Sequence, residues 1–280
     1  MPYLVSTSFG CLLEDLTIPS DQRRLAEARR VAVSALLAKS FEVLDAFSTG
    51  SIPRQTGLKG TSDIDAMTVL HFGKHVDGRS PIRLLESVRD VLADYNARIV
   101  RKNGQAVTLY FATWPNVDIV PAKRVTLANG GHALYIADGN AEEWIPTDPV
   151  GHDRAMLAAS DKVRQLVRVM KCWNRAHSEY MTSFDIQRTA LATWINEFDT
   201  AEASWPWMVK SFFEKAIELT GPATTMSIGY NLETWVGLRA RLERGKELAL
   251  DAWYQAHTGN FEASIERCRI IFGDKFPAHG

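Results

Sequence analysis

The chain has 280 residues, 46% of them hydrophobic and 23% charged, with a formal net charge of −1. That is apolar material for one large domain or two lobes, and the missing basic excess argues against a protein that tracks long nucleic acid, where phosphate neutralisation carries binding. No apolar run approaches the ~18 residues of a membrane span, residues 1–20 lack the pattern of a secretory leader, and the cysteines Cys11, Cys172 and Cys268 are scattered, so a cytoplasmic protein with no membrane partner and no cysteine-based zinc site is expected.

Gln22 to Ser40 is amphipathic and rich in Arg, Ala, Leu and Glu, which predicts a helix leading into the first strand. The apolar run Phe41 to Phe47 predicts that strand, and it breaks at Ser48-Thr49-Gly50-Ser51. A strand ending in Gly50-Ser51 presents backbone N–H groups and a hydroxyl in a turn, a cradle suited to phosphate oxygens, although Ser51 could also cap a helix. Gly57, Lys59, Gly60 and Thr61 read as a flexible connector, and their spacing does not match a Walker A loop. After eleven intervening residues Ser51 is followed by Asp63-Ile64-Asp65, opening an apolar, β-rich segment that runs to Leu70. On a strand, residues two apart face the same way, so both carboxylates project into one space and repel unless a cation lies between them. Hard oxygen ligands of this kind suit Mg²⁺ or Mn²⁺.

Pro81 to Asn96 predicts a helix, and Val107 to Ala112 and Val117 to Pro121 predict two strands of a mixed sheet. Asp118 is the one charged residue of the second strand. An unpaired carboxylate in a buried strand costs several kcal/mol, so Asp118 is expected to face a cation or a hydrogen-bond network. Three carboxylates holding two ions about 4 Å apart make the usual device for in-line attack on phosphorus. The patch Asn129-Gly130-Gly131 and the loop Pro146 to Gly151 are read as a boundary, dividing the chain into 1–153 and 154–280.

Beyond Asp153 the periodicity is helical: Arg154 to Arg175, Ser183 to Phe198, Pro206 to Thr220, Leu232 to His257 and Asn260 to Phe272, with breaks at Gly221-Pro222 and Gly259-Asn260. Trp194, Trp235 and Trp253 read as core residues. Arg164, Arg168, Lys171 and Arg175 share one helical face, which for the outer members reads as solvated. Ser183 is a candidate N-cap for a helix from Phe184, and a helix N-terminus with a free hydroxyl is also a phosphate site.

The pattern Gly50-Ser51…Ser62-Asp63-Ile64-Asp65, followed by Val117-Asp118-Ile119-Val120-Pro121-Ala122, resembles the DNA-polymerase-β-type nucleotidyltransferase superfamily. More narrowly, the chain is similar to the bacterial cGAS/DncV-like nucleotidyltransferases (CD-NTases) of CBASS anti-phage systems. Trp144 to Pro149, Leu166 to Asn174, Ser183-Phe184 and Ile271 to Pro277 fall where that family has similar segments, so the resemblance runs from about residue 25 to the end. Gln187 departs from it, since relatives often carry glutamate there. The resemblance implies that Lys171 holds the triphosphate, for which a compact point charge is suited.

These readings together predict an α/β (α+β) fold, with a mixed-sheet nucleotidyltransferase core packed against a helical C-terminal lobe and an active site in the cleft between them. Asp63, Asp65 and Asp118 are the expected catalytic and metal-binding residues for two Mg²⁺ or Mn²⁺ ions. Gly50, Ser51, Lys171 and Ser183 are the expected nucleotide-binding residues. The expected substrates are NTPs (ATP, GTP or both, with pyrimidine NTPs left open). The resemblance implies release of pyrophosphate, a cyclic di- or trinucleotide second messenger, and CBASS accessory proteins as partners. Two alternatives stay open: a toxin-like nucleotidyltransferase acting on tRNA or protein, and a non-catalytic nucleotide-binding module. In some relatives a C-terminal glycine or alanine is conjugated to targets; for Ala278-His279-Gly280 the alternative is a frayed end without a role.

Overall fold

Seven strands between Val43 and Thr147 form one mixed sheet in the computed structural model, which describes residues 4–194, 203–221 and 232–277. Contacts divide the chain into two compact units, Ile18–Leu157 and a helical unit that joins Met1–Thr17 to Ala158–Gly280. The expected mixed sheet and helical portion are both present. The contact-based division differs from the one read from composition at 153/154, because the first helix packs its aromatic face among the late helices.

In the sheet unit the order is β1 (Val43–Thr49), β2 (Ile64–Leu70), β5 (Val117–Thr126), β4 (Ala106–Tyr110) and β3 (Ile99–Asn103), with β6 (His132–Asp138) on β5 and β7 (Glu143–Thr147) on β6. β2 and β5 are parallel, and the other pairs are antiparallel. Alternation along β2 sends Ile64, Ala66 and Leu70 into a core with Ala26, Val33 and Leu37 of α2 (Ser20–Leu37) and Leu84, Leu85, Val88 and Leu92 of α3 (Pro81–Leu92). The opposite face carries Met67, Val69, Ala122 and Ile136, packed with Phe47, Val120, Leu134 and Ile145. α3 starts where Ser80 Oγ accepts from Arg83 N and Pro81 occupies the first turn, where a missing N–H costs nothing.

The Gly/Asn patch is no boundary. Leu127 N donates to Gly131 O at 2.8 Å and Gly130 has φ +79°, so the patch is the turn joining β5 to β6. Pro146 sits inside β7, an edge strand bonded to β6 alone, where proline removes no ladder bond. β5 likewise continues past Pro121, which falls between the stretch bonded to β4 and the stretch bonded to β6. Among the described residues a π-helical turn, Phe72–Val76, follows β2, and α4 (Pro149–Ala158) closes the unit.

In the helical unit, α1 (Val5–Leu16) went unassigned in the sequence, yet it buries Val5, Phe9, Leu12, Leu13 and Leu16 at helical spacing. Phe9 stacks on Trp205 at 5.2 Å and meets Phe276 and Phe272 edge-on at 4.9 and 5.7 Å. The helix expected over Arg154 to Arg175 is two helices, because Ser160 accepts from Val163 N and caps α5 (Asp161–Ala176) separately from α4. α6 (Ser183–Trp194), α7 (Trp205–Leu219), α8 (Leu232–His257) and α9 (Phe261–Phe272) follow. Residues 195–198 of the helix expected over Ser183 to Phe198, the Trp194 side chain, Pro222 and the tail 278–280 lie outside the described residues. Trp253 packs on Trp207 at 5.2 Å and Trp235 donates to Thr220 O at 2.8 Å, both half-buried rather than fully enclosed.

Asn174 near the end of α5 holds the start of α6. Its Nδ2 donates to Met181 O at 2.7 Å and its Oδ1 accepts from Met181 N at 3.0 Å, all buried. Asn174→Ala strands both Met181 backbone groups and is expected to cost about 1–3 kcal/mol of stability. Urea unfolding checks this as a lowered midpoint at an unchanged slope.

Candidate active site at the ends of β2 and β5

Strand register builds the site. Thr49 of β1 pairs with Asp65 of β2, Asp65 with Asp118 of β5, and Asp118 with Thr108 of β4. Paired residues on adjacent strands share a face, so these four side chains form one row across the sheet, on the face away from α2 and α3. Asp65 and Asp118 both stand at the N-terminal ends of parallel strands, and Asp63 lies just before β2 begins.

Gly50 ends β1 against this row. With φ +82°, a Cβ there would lie 1.8 Å from Asp65 Oδ2, so the backbone approaches the carboxylate as only glycine allows. Ser51 then opens a turn in which Thr56 N donates to Ser51 O at 2.9 Å, and the half-buried Ser51 hydroxyl faces the Cα side of Gly57. The expected flexible connector is instead a closed turn: Thr61 N and Ser62 N donate to Leu58 O, and Leu58 N donates to Ser62 Oγ at 2.8 Å. Sequence reasoning missed a latch on this segment. Buried Arg54 donates through Nε to Asp153 Oδ1 at 2.5 Å, and Thr49 Oγ1 reaches the same oxygen at 3.4 Å, fastening the turn to α4. Arg54 gave no signal in the sequence, because its partner is far along the chain.

The three carboxylates are held differently. Asp118 Oδ1 accepts from the buried Thr108 hydroxyl at 2.5 Å, and Asp63 Oδ1 accepts from Asn116 Nδ2 at 3.1 Å. Burial pushes the Asp118 carboxyl above the usual aspartate range; the Thr108 bond opposes that, and the Asp63 charge adds to it. Asp118 and Asp63 therefore sit close enough to repel. Among the described residues no three His, Cys, Asp or Glu side chains are gathered as a ready ligand set. The donor chemistry nonetheless fits a hard divalent cation: three carboxylates lie at or just before the N-terminal ends of β2 and β5, one of them desolvated beside a like charge.

In the helical unit, Lys171 is buried at 6% exposure on α5, so it is no member of a solvated face. Of its neighbours on that face, Arg175 is exposed and pairs with Glu179 at 3.0 Å. Arg164 is tucked in, bound to Asp161 and donating to Ala159 O, which departs from the solvated reading. Ser183 is the exposed first residue of α6, but the cap is Thr182, whose Oγ1 accepts from Asp185 N at 3.1 Å. Gln187 is buried and donates to Ser183 O at 3.1 Å, a role within the helix that needs no charge.

The raised Asp118 value has a sign that can be tested in chelator. A carboxyl whose folded pKa lies above its unfolded one costs stability when ionised. That cost is complete above the raised value and vanishes below the ordinary one. Asp118→Asn is therefore expected to unfold at higher urea than the wild type at neutral pH. The gap should close as pH falls through that window, followed by circular dichroism.

Residues 4–159 match the family described as Second Messenger Oligonucleotide or Dinucleotide Synthetase domain, SMODS. A "Probable cyclic nucleotide synthase" of Bacillus cereus strain VD146 is 24% identical over 213 residues, covering 71% of this chain and 64% of that protein, so the match spans less than two thirds of the curated relative. The fold is similar to that of CdnC from E. coli MS115-1 solved with ATP, at TM-score 0.77 and 16% identity over 98% of this chain and 99% of that one. It is also similar to the CD-NTase CdnG of Bradyrhizobium diazoefficiens in complex with GTP, at 0.70 and 14% over 95% and 94%, and to the cyclic AMP-GMP synthase DncV of Vibrio cholerae, at 0.61 and 14% over 83% and 69%. With a family match over more than half its length, reaching past the α4 helix that latches the Gly50-Ser51 turn, the chain belongs to the SMODS family of cGAS/DncV-like nucleotidyltransferases.

Proposed function

We propose that the chain joins NTPs into a cyclic di- or trinucleotide second messenger for CBASS anti-phage signalling, releasing pyrophosphate. The observation that carries this reading is the in-register pair Asp65 and Asp118, with the Asp63 charge acting on Asp118, in a member of the SMODS family. A ribose hydroxyl of one nucleotide attacks the α-phosphorus of another, and the bond to pyrophosphate breaks. ATP and GTP are the proposed substrates, in line with the nucleotides in the CdnC and CdnG structures.

Asp63, Asp65 and Asp118 are the proposed ligands of two Mg²⁺ or Mn²⁺ ions. Divalent ions held there would lower the pKa of the attacking hydroxyl and neutralise charge on the leaving pyrophosphate. Thr108 fixes one oxygen of Asp118, which leaves the other to face the reacting groups. The Gly50-Ser51 turn offers N–H groups and a hydroxyl to phosphate oxygens beside Asp65. Lys171 and Ser183 are the proposed nucleotide contacts of the helical unit.

Asp63→Ala, Asp65→Ala and Asp118→Ala are each expected to abolish formation of nuclease- and phosphatase-resistant products from NTPs and Mg²⁺, read by mass, without unfolding the protein. Activity within about tenfold of wild type in any of them overturns the assignment, since loss of a catalytic carboxylate should cost far more.

Lys171→Ala is expected to weaken NTP binding by about 1.5–3 kcal/mol, as for a hydrogen bond to a charged group, and to raise KM more than it lowers kcat. Calorimetry that finds binding unchanged gives Lys171 a packing role alone.

A further inference from the structure

Asp63 is the one carboxylate of the three that the sheet does not orient. It precedes β2, outside the ladder that fixes Asp65 and Asp118. What turns it is the short connection from β4 to β5. Asn116 Nδ2 donates to Asp63 Oδ1 at 3.1 Å, while Asn116 Oδ1 accepts from Phe111 N at 3.2 Å. The second bond settles which end of the amide faces Asp63, because only the oxygen can accept from a backbone N–H. Asn116 O also accepts from Ile64 N at 3.1 Å, and Trp114 Nε1 donates to Ser62 O at 2.9 Å. The connection therefore brackets Asp63 from both sides along the chain.

The connection is itself exposed at Ala112 and Thr113. Arg29 of α2 holds it from outside. Its Nη1 donates to Thr113 O and to Pro115 O, both at 2.6 Å, its Nη2 donates to Thr113 Oγ1 at 2.9 Å, and its guanidinium lies 4.4 Å from the Phe111 ring centre. One planar fork thus satisfies two carbonyls and a hydroxyl while stacking on an aromatic face, a combination that lysine cannot reproduce.

We infer that Asn116 and Arg29 are positioning residues for Asp63: Asn116 aims the carboxylate, and Arg29, from helix α2, holds the connection that carries Asn116. The inference rests on the proposed metal-binding role of Asp63. Oriented outer partners of metal ligands are commonly worth ten- to a hundredfold in affinity.

The test is Mn²⁺ binding to nucleotide-free protein, followed by electron paramagnetic resonance and by the Mn²⁺-induced rise in melting temperature. Asn116→Ala and Asn116→Gln are expected to weaken Mn²⁺ binding by about tenfold or more, the latter because it keeps the amide but moves it by one methylene. Arg29→Ala should weaken it in the same direction, Arg29→Lys should not restore it, and adding Arg29→Ala to Asn116→Ala should cost little more, since both act along one set of contacts. In an Asp63→Ala background, Asn116→Ala should have no further effect. If Asp63→Ala leaves Mn²⁺ binding intact, the metal role of Asp63 fails. If Asp63→Ala weakens binding but either folded Asn116 variant binds Mn²⁺ as wild type does, the positioning role fails and the metal role stands. Loss of melting temperature with Mn²⁺ affinity unchanged also overturns it, because a merely structural contact would behave that way.

Discussion

Parallel pairing of β2 with β5 is the constraint on which the site depends. It sets Asp65 beside Asp118 at the same end of two adjacent strands. Like charges set opposite one another on adjacent strands are destabilising. The surrounding groups answer that repulsion. Thr108 donates to Asp118 from the next strand, burial favours its protonated form, and Asn116 donates to Asp63.

The turn after β1 follows from the same row. Because Asp65 Oδ2 occupies the place where a side chain at position 50 would go, the chain must pass with glycine and then fold back. Ser51, Thr56, Leu58 and Ser62 close that return through their own hydrogen bonds, and Arg54 pins it to Asp153 of α4. For the phosphate contact proposed for this turn the closure would be an advantage, since free loop backbone would lose entropy on binding.

The helical unit has its own logic. α5 buries Val163, Leu166, Val167, Val169, Met170, Cys172 and Trp173, and the same helix carries Lys171 inward. Trp173 meets Phe213 edge-on at 4.9 Å, so the helix is anchored by aromatic packing two positions beyond the lysine. Asn174, a turn later, sets where α6 begins. A buried lysine held by a rigid helix would lose little freedom in the nucleotide contact proposed for it, unlike one on a solvated face.

By itself the sequence determined the β-rich segment after Asp63, the lone carboxylate in the apolar run from Val117, the glycine at 50, and the late helices, read over Leu232 to His257 and Asn260 to Phe272. Each is a local signal: alternation, an isolated charge, or a 3.6-residue period, legible because neighbours along the chain create it. The family resemblance was legible for the same reason, since its motifs are short and contiguous. Only the tertiary structure decided what depends on residues far apart in the chain. Register placed Asp65 opposite Asp118 and Thr108 behind it. Edge position let Pro146 sit in a strand, and the turn at Gly130 joined strands where composition read a boundary. Arg29, Arg54, Asn116 and Asn174 carried no sequence signal, because their roles lie in hydrogen bonds to groups whose position the fold alone creates.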